Sequence, residues 1–295
     1  MSRALVLGGG GPVGIAWECG LIAGLAQAGV DLGQADFILG TSAGSFVGAR
    51  LAMGTLAAEL AQPILAEADR AERAPRSEAP ERRPPADLSF LMAKMTEAQT
   101  SARNPAEVRA EIGQWALAQP TIDEAAFIES FGRSFAGLAE DYWPEHGYAC
   151  TAVDAETGGF QLWDKAAGVG LTRAVASSCS VPGIYPPVTL KGRRYIDGGM
   201  RSGTNADLAG GHDLVVLIAL RLGDGGPNDR MKARLDKEIA QLKDGGAEVV
   251  LITPDAASQI AFGANLMDFR RRPAAVRAGL DQGAALAAET AIRWG

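Results

Sequence analysis

The chain has 295 residues, a formal net charge of −7 and 47% apolar residues, enough to bury a sizeable core in one large domain or two small ones. The acidic balance argues against a nucleic-acid partner. No apolar run reaches the roughly 18 residues that a membrane-spanning helix needs.

Arg3–Leu7 reads as a short buried strand, and residues 8–14 as a glycine loop after it, a pattern that fits a first strand and not a signal peptide. Residues 15–28 form an apolar, glycine-punctuated helix ended by Gly29. Residues 37–39 form a second strand, which enters a tight turn at Ser42, and 45–65 a second helix. Strand, glycine loop, helix, strand, turn, helix is the opening of a parallel α/β sheet. Residues 67–87 carry Pro75, Pro80, Pro84 and Pro85 among many charges and read as an exposed loop. From 88 to 137 the pattern is helical again, with Val108, Ile112 and Trp115 near helical spacing. Thr121 reads as an N-cap for 121–131, with Glu124 three residues on. The block around 62–145 is either a helical insertion capping the sheet (66–140, with 70–87 as a mobile lid) or further α/β packing. The sheet resumes at 148–153 and Phe160–Trp163, followed by a helix over Leu171–Ser178 and a hairpin over 188–196 about Lys191-Gly192. A central strand follows at 213–220, a helix at 229–243, a buried strand at 248–253 and a last helix at 274–293. With no repeat and no clear linker, a single domain over 1–295 is the expected organisation.

Three segments carry chemistry. Gly40-Thr41-Ser42-Ala43-Gly44 is a Gly-x-Ser-x-Gly elbow between strand and helix, where glycines at Gly40 and Gly44 permit a turn that side chains would obstruct. Gly9, Gly11 and Gly14 form Gly-x-Gly-x-x-Gly, able to cradle a dinucleotide pyrophosphate or to offer bare N–H groups to an oxyanion. The ribose-binding acid of a dinucleotide fold would have to be Asp31 or Asp36, and neither closes the second strand. Asp197-Gly198-Gly199 after a strand is either a plain turn or a general base at a strand end. A nucleophilic serine needs a base. His146 and His212 are the only histidines, both in loop-like contexts. If neither serves, a carboxylate must act directly, in a site dry enough to raise its basicity. Cys19, Cys150 and Cys179 are odd in number and far apart, so no disulfide framework or metal site follows. Cys19 and Cys179 read as small apolar packing residues, and the compartment expected is the reducing cytoplasm.

In order, the glycine loop, the elbow and Asp197-Gly198-Gly199 resemble the patatin-like phospholipase family. The stretch 176–188, small residues leading into Pro182-Gly183 and Pro186-Pro187, is similar to the segment that precedes the family's base. The resemblance implies a three-layer α/β/α fold with a mostly parallel sheet. It also implies a Ser42–Asp197 dyad, with Gly10 and Gly11 N–H groups as oxyanion hole. The reaction would be ester hydrolysis of acyl lipids through an acyl-enzyme, with no metal or organic cofactor. One position departs from the pattern: Val13 stands where the family loop usually carries Arg or Lys. This leaves phospholipase, neutral esterase and thioesterase open, beside a catalytically silent binding module or a nucleotide-binding protein. Arg270, Arg271 and Arg272, near Phe262, Leu266, Met267 and Phe269, are either a peripheral membrane contact or a solvated basic turn before Pro273.

Overall fold

A computed structural model describes residues 1–73, 87–100, 102–220 and 227–294. The elements run β1 (Arg3–Leu7), α1 (Gly11–Gln27), β2 (Phe37–Gly40), α2 (Ala43–Ala52), α3 (Gln62–Arg73), α4 (Ser89–Thr100), α5 (Pro105–Leu117), α6 (Glu124–Glu129) and α7 (Gly132–Phe135). Then come β3 (Tyr148–Asp154), β4 (Phe160–Trp163), α8 (Leu171–Ser178), β5 (Val188–Leu190), β6 (Arg193–Asp197), β7 (Leu214–Ile218), α9 (Pro227–Asp244), β8 (Glu248–Ile252), α10 (Ala256–Phe262) and α11 (Arg272–Trp294).

One sheet of eight strands holds the order β5-β6-β3-β2-β1-β7-β8, with β4 added on β3. The β3–β2–β1–β7–β8 portion is parallel, and β4, β5 and β6 are antiparallel to their neighbours. Alternation along β1 and β7 divides the core. Leu5, Leu7, Leu214, Val216 and Ile218 join the layer of α1, α2, α8 and α11. Ala4, Val6, Val215 and Leu217 join the layer of α9. This is a three-layer α/β/α fold with a mostly parallel sheet, since strands buried on both faces need helices on each.

The helix α1 is apolar on every face except for the buried Glu18 and the terminal Gln27, and it is buried along nearly its whole length. It meets α11 backbone to backbone. A Cβ on Gly20 would overlap the Val276 carbonyl, and one on Gly283 the Leu21 carbonyl. Between β2 and β3 the described chain is helical. Helices α4 and α5 lay Leu91, Ile112 and Ala116 against Val153 of β3 and Ile196 of β6.

Several expectations shift. The helix expected from residue 15 begins at Gly11, because Pro12 fits a first helical turn, where its missing N–H costs nothing. The helix expected over 45–65 is two: α2 ends before Gly54, whose φ of +89° no helix accommodates, and α3 starts at Gln62. The N-cap of α6 is Asp123, which accepts from Ala125 and Ala126 N–H, and not Thr121. Glu124 instead binds Thr189 N–H and Oγ1 on β5. The strand expected to be buried at 248–253 is the half-exposed sheet edge β8. Most of the segment 70–87 lies outside the described residues.

Candidate active site

The topology brings two strand ends face to face. Both β2 and β4 pair with Cys150, and both β4 and β6 with Ala152 and Val153 of β3. A strand has only two edges, so β2 and β6 share the edge of β3 opposite β4. They approach from opposite directions. Parallel β2 stops with Gly40 at Cys150, and antiparallel β6 stops with Asp197 at Ala152. Ser42 and Asp197 follow directly from those ends and line one cleft of about 940 Å³ with Gly9, Gly10 and Gly11.

Ser42 has φ 52° and ψ −116°, a region that side chains rarely occupy. Its backbone is held on both sides. The Ser42 N–H donates to Ser178 Oγ at 3.0 Å, and its carbonyl accepts from Ser45 Oγ at 2.6 Å and Cys179 Sγ at 3.1 Å. The elbow glycines are required by contact. A Cβ on Gly44 would overlap the Leu7 carbonyl, and one on Gly40 would lie 2.6 Å from Gly44 O. Burial pushes the Cys179 thiol well up, so it is a neutral donor.

Asp197 is 3% exposed. Its N–H donates to Ser180 O at 2.9 Å, and its Oδ1 accepts from Gly199 N–H at 2.7 Å. The segment 178–180 therefore holds Ser42 at one end and Asp197 at the other. Oδ2 is buried and completes no hydrogen bond of normal geometry among the described residues. Desolvation raises the Asp197 pKa from 3.8 to about 6, against the opposing pull of the Ser42 hydroxyl and the Gly199 N–H. Ser42 thus stands close enough to act on the carboxyl, although a standard hydrogen bond is not formed.

The glycine loop completes the cleft. Gly8 N–H donates to Ile218 O, Gly9 N–H to Gly203 O and Gly14 N–H to Gly10 O. The N–H groups of Gly10 and Gly11 donate to no acceptor among the described residues. Side chains would block this surface. A Cβ on Gly10 would lie 2.5 Å from Leu220 Cδ2, and one on Gly11 (φ +58°) 2.7 Å from Met267 Sδ. Val13 is buried, and its N–H donates to Leu266 O, so the loop brings no cation of its own. Gly198 turns against Thr151 at the base of the site, and a Cβ on Gly199 would stand 2.9 Å from Asp197 Oδ1.

Both histidines lie elsewhere. His212 precedes β7 and His146 precedes β3, so both sit at the N-terminal ends of strands whose opposite ends carry the site, about 15 Å away at strand rise. His212 stacks on Phe37, with Nδ1 3.0 Å from Ala209 O. The acids considered for a dinucleotide site are at that same far end. Asp36 accepts from Arg3 N–H, and Asp31 caps a short turn through Gly33 N–H, so neither reaches the glycine loop. Of the membrane-contact candidates, Phe262 is fully buried against Trp17, and Leu266 and Met267 line the cleft. Phe269 is exposed, while Arg270 pairs with Asp268 and Arg272 with Glu67. No helix among the described residues is long and apolar enough to cross a membrane.

The sequence reading missed Asn205, which holds the site from below. Fully buried at φ 51°, it donates from Nδ2 toward Thr41 Oγ1, Thr151 Oγ1, Gly198 O and Ser202 O, at 2.9–3.3 Å. One amide thus ties the middle of β3 to the ends of β2 and β6. An Asn in a glycine- and serine-rich stretch gives no local hint of that role.

A strained serine, a dry carboxyl and open backbone N–H groups thus meet in one cleft at the C-terminal edge of the parallel strands of an α/β/α sheet. The patatin-like phospholipase model matches residues 5–209, and the chain belongs to the patatin-like phospholipase family, a family of lipid hydrolases. Among solved structures it is similar to VipD from Legionella pneumophila, at 15% identity and a TM-score of 0.48 over 98% of this chain and 67% of that one. It is also similar to the type III effector protein ExoU, at 17% identity and a TM-score of 0.37, covering 97% of this chain and 53% of that one. The ExoU–SpcU complex from the type III secretion system of Pseudomonas aeruginosa gives 18% identity and a TM-score of 0.37, over 96% and 52%. The chain spans about half the length of ExoU. No curated protein sequence matches it.

Proposed function

We propose that the protein is a serine acyl hydrolase that cleaves lipid esters with a Ser42–Asp197 dyad. The observation that carries this reading is the pairing of a strained Ser42 with the buried, unpartnered Asp197 Oδ2 in one cleft. A carboxylate with a pKa near 6 is ionised at neutral pH and more basic than a solvated one.

In the first half-reaction Asp197 takes the Ser42 proton as Oγ attacks the ester carbonyl carbon. The carbonyl oxygen becomes an oxyanion, received by Gly10 and Gly11 N–H. Such fixed donors stabilise the tetrahedral intermediate because they need no reorganisation. Collapse breaks the bond to the alcohol, which leaves with the proton from Asp197. In the second half-reaction Asp197 takes a proton from water, the hydroxide attacks the acyl-enzyme, and the fatty acid departs as Ser42 regains its proton. The apolar lining from Met95, Val181, Met200, Leu220 and Leu266 suits an acyl chain.

The test is labelling with a fluorophosphonate probe, read by intact mass and peptide mapping. Wild type acquires one adduct on Ser42, and Ser42→Ala acquires none while keeping its fold. A folded wild type that resists the probe would favour a binding module over an enzyme.

A further inference from the structure

We propose that Met267 is an oxidation site that switches off the oxyanion loop. A peroxide converts its thioether to the sulfoxide, whose oxygen accepts from the Gly10 and Gly11 N–H groups and so denies them to substrate. The effect on turnover rests on the hydrolase reading above.

Met267 stands in the segment between α10 and α11, beyond the matched residues 5–209. Two hydrogen bonds fasten that segment. The Val13 N–H donates to Leu266 O at 3.1 Å, and the Met267 N–H donates to Asn265 Oδ1 at 3.0 Å. The Met267 side chain then turns to the glycine loop. A Cβ on Gly11 would stand 2.7 Å from Met267 Sδ, so the sulfur rests against the Gly11 backbone. Met267 is half-buried and also lines the Ser42 cleft, which opens it to a small oxidant.

The sulfur lone pair attacks the peroxide O–O bond. One oxygen passes to sulfur, and the other leaves as water, or as an alcohol from an organic peroxide. Sulfur loses two electrons and the peroxide gains two. A thioether is a weak acceptor, whereas the oxygen of a sulfoxide is strongly polar. The donors beside it, Gly10 and Gly11 N–H, have no acceptor among the described residues. Once they bind the sulfoxide, they cannot stabilise an oxyanion. Other sulfurs are placed differently. Cys19, Cys150 and Cys179 are buried, and burial holds their thiols protonated and unreactive. Met95 and Met200 line the cleft, but neither is among the atoms that a Cβ on Gly9, Gly10 or Gly11 would meet. Met1 and Met92 are exposed and lie outside the cleft lining.

The experiment treats wild type, Met267→Leu and Met200→Leu with hydrogen peroxide and maps sulfoxides by peptide mass. Hydrolysis of p-nitrophenyl hexanoate is referred to each protein's own untreated rate. Wild type and Met200→Leu should lose about tenfold or more in step with the Met267 sulfoxide, as expected when oxyanion donors are lost. Met267→Leu should keep most of its rate. Methionine sulfoxide reductase with dithiothreitol should restore wild type, the oxygen leaving as water while the dithiol is oxidised to a disulfide. Full activity with Met267 oxidised, or equal losses in wild type and Met267→Leu, overturns the assignment. So does a Met267 that stays reduced while Met95 and Met200 are oxidised. The amide proton resonances of Gly10 and Gly11 read the loop without turnover. They should move downfield when wild type is oxidised and hold their place in Met267→Leu, and resonances unmoved in wild type overturn the assignment. Shifted amides in a protein that neither hydrolyses the ester nor takes a fluorophosphonate would reject the hydrolase reading and keep the oxidation site.

Discussion

Asp197→Asn separates the cost of burying this carboxylate from its proposed use as a base. The native pKa is about 6, against an ordinary 3.8. Above both values the native state holds a dry carboxylate while the unfolded state holds a solvated one, so ionisation disfavours folding. The shift is about two units, and at 1.36 kcal/mol per unit the cost is about 3 kcal/mol. Below the unfolded value both states are protonated and the cost vanishes. This contribution to wild-type stability is therefore retained at low pH and lost as pH rises from 3.8 through about 6. Asn keeps an oxygen for the Gly199 N–H and carries no charge. The variant should be inactive, more stable than wild type by about 3 kcal/mol near pH 8, and level with it below about pH 3. Urea denaturation at a series of pH values measures this difference, and groups common to both proteins cancel. Wild-type kcat/KM should climb tenfold per pH unit up to about pH 6 and then level off. A stability difference that stays constant across this range would refute the claim that desolvation outweighs the hydrogen bonds of the Asp197 carboxylate.

His146→Ala and His212→Ala should each keep most esterase activity, because both histidines stand at the opposite end of the sheet. A loss as deep as that of Ser42→Ala in either would establish a triad in place of the dyad. Gly283→Val should cost about 3 kcal/mol or more in urea denaturation, since its Cβ would overlap the Leu21 carbonyl and force α11 off α1. A variant of wild-type stability would contradict that close packing.

Sequence and tertiary structure contributed different things. The elbow at Ser42 is legible because a strained serine needs its glycines within two residues on either side, so the constraint is local. The glycine loop and the β5–β6 hairpin about Lys191-Gly192 are legible for the same reason. Burial of β8 was misjudged, since an apolar run does not say whether a strand lies inside a sheet or at its edge. The meeting of Ser42 with Asp197, 155 residues apart in the chain, follows from which edge of β3 each strand takes. That choice depends on long-range pairing and leaves no mark on either segment. The amide of Asn205 and the Ser178–Ser180 brace are of the same kind. A residue type fixes what a side chain can donate or accept, but only the packed fold determines which partners are within 3 Å and whether water is excluded from them.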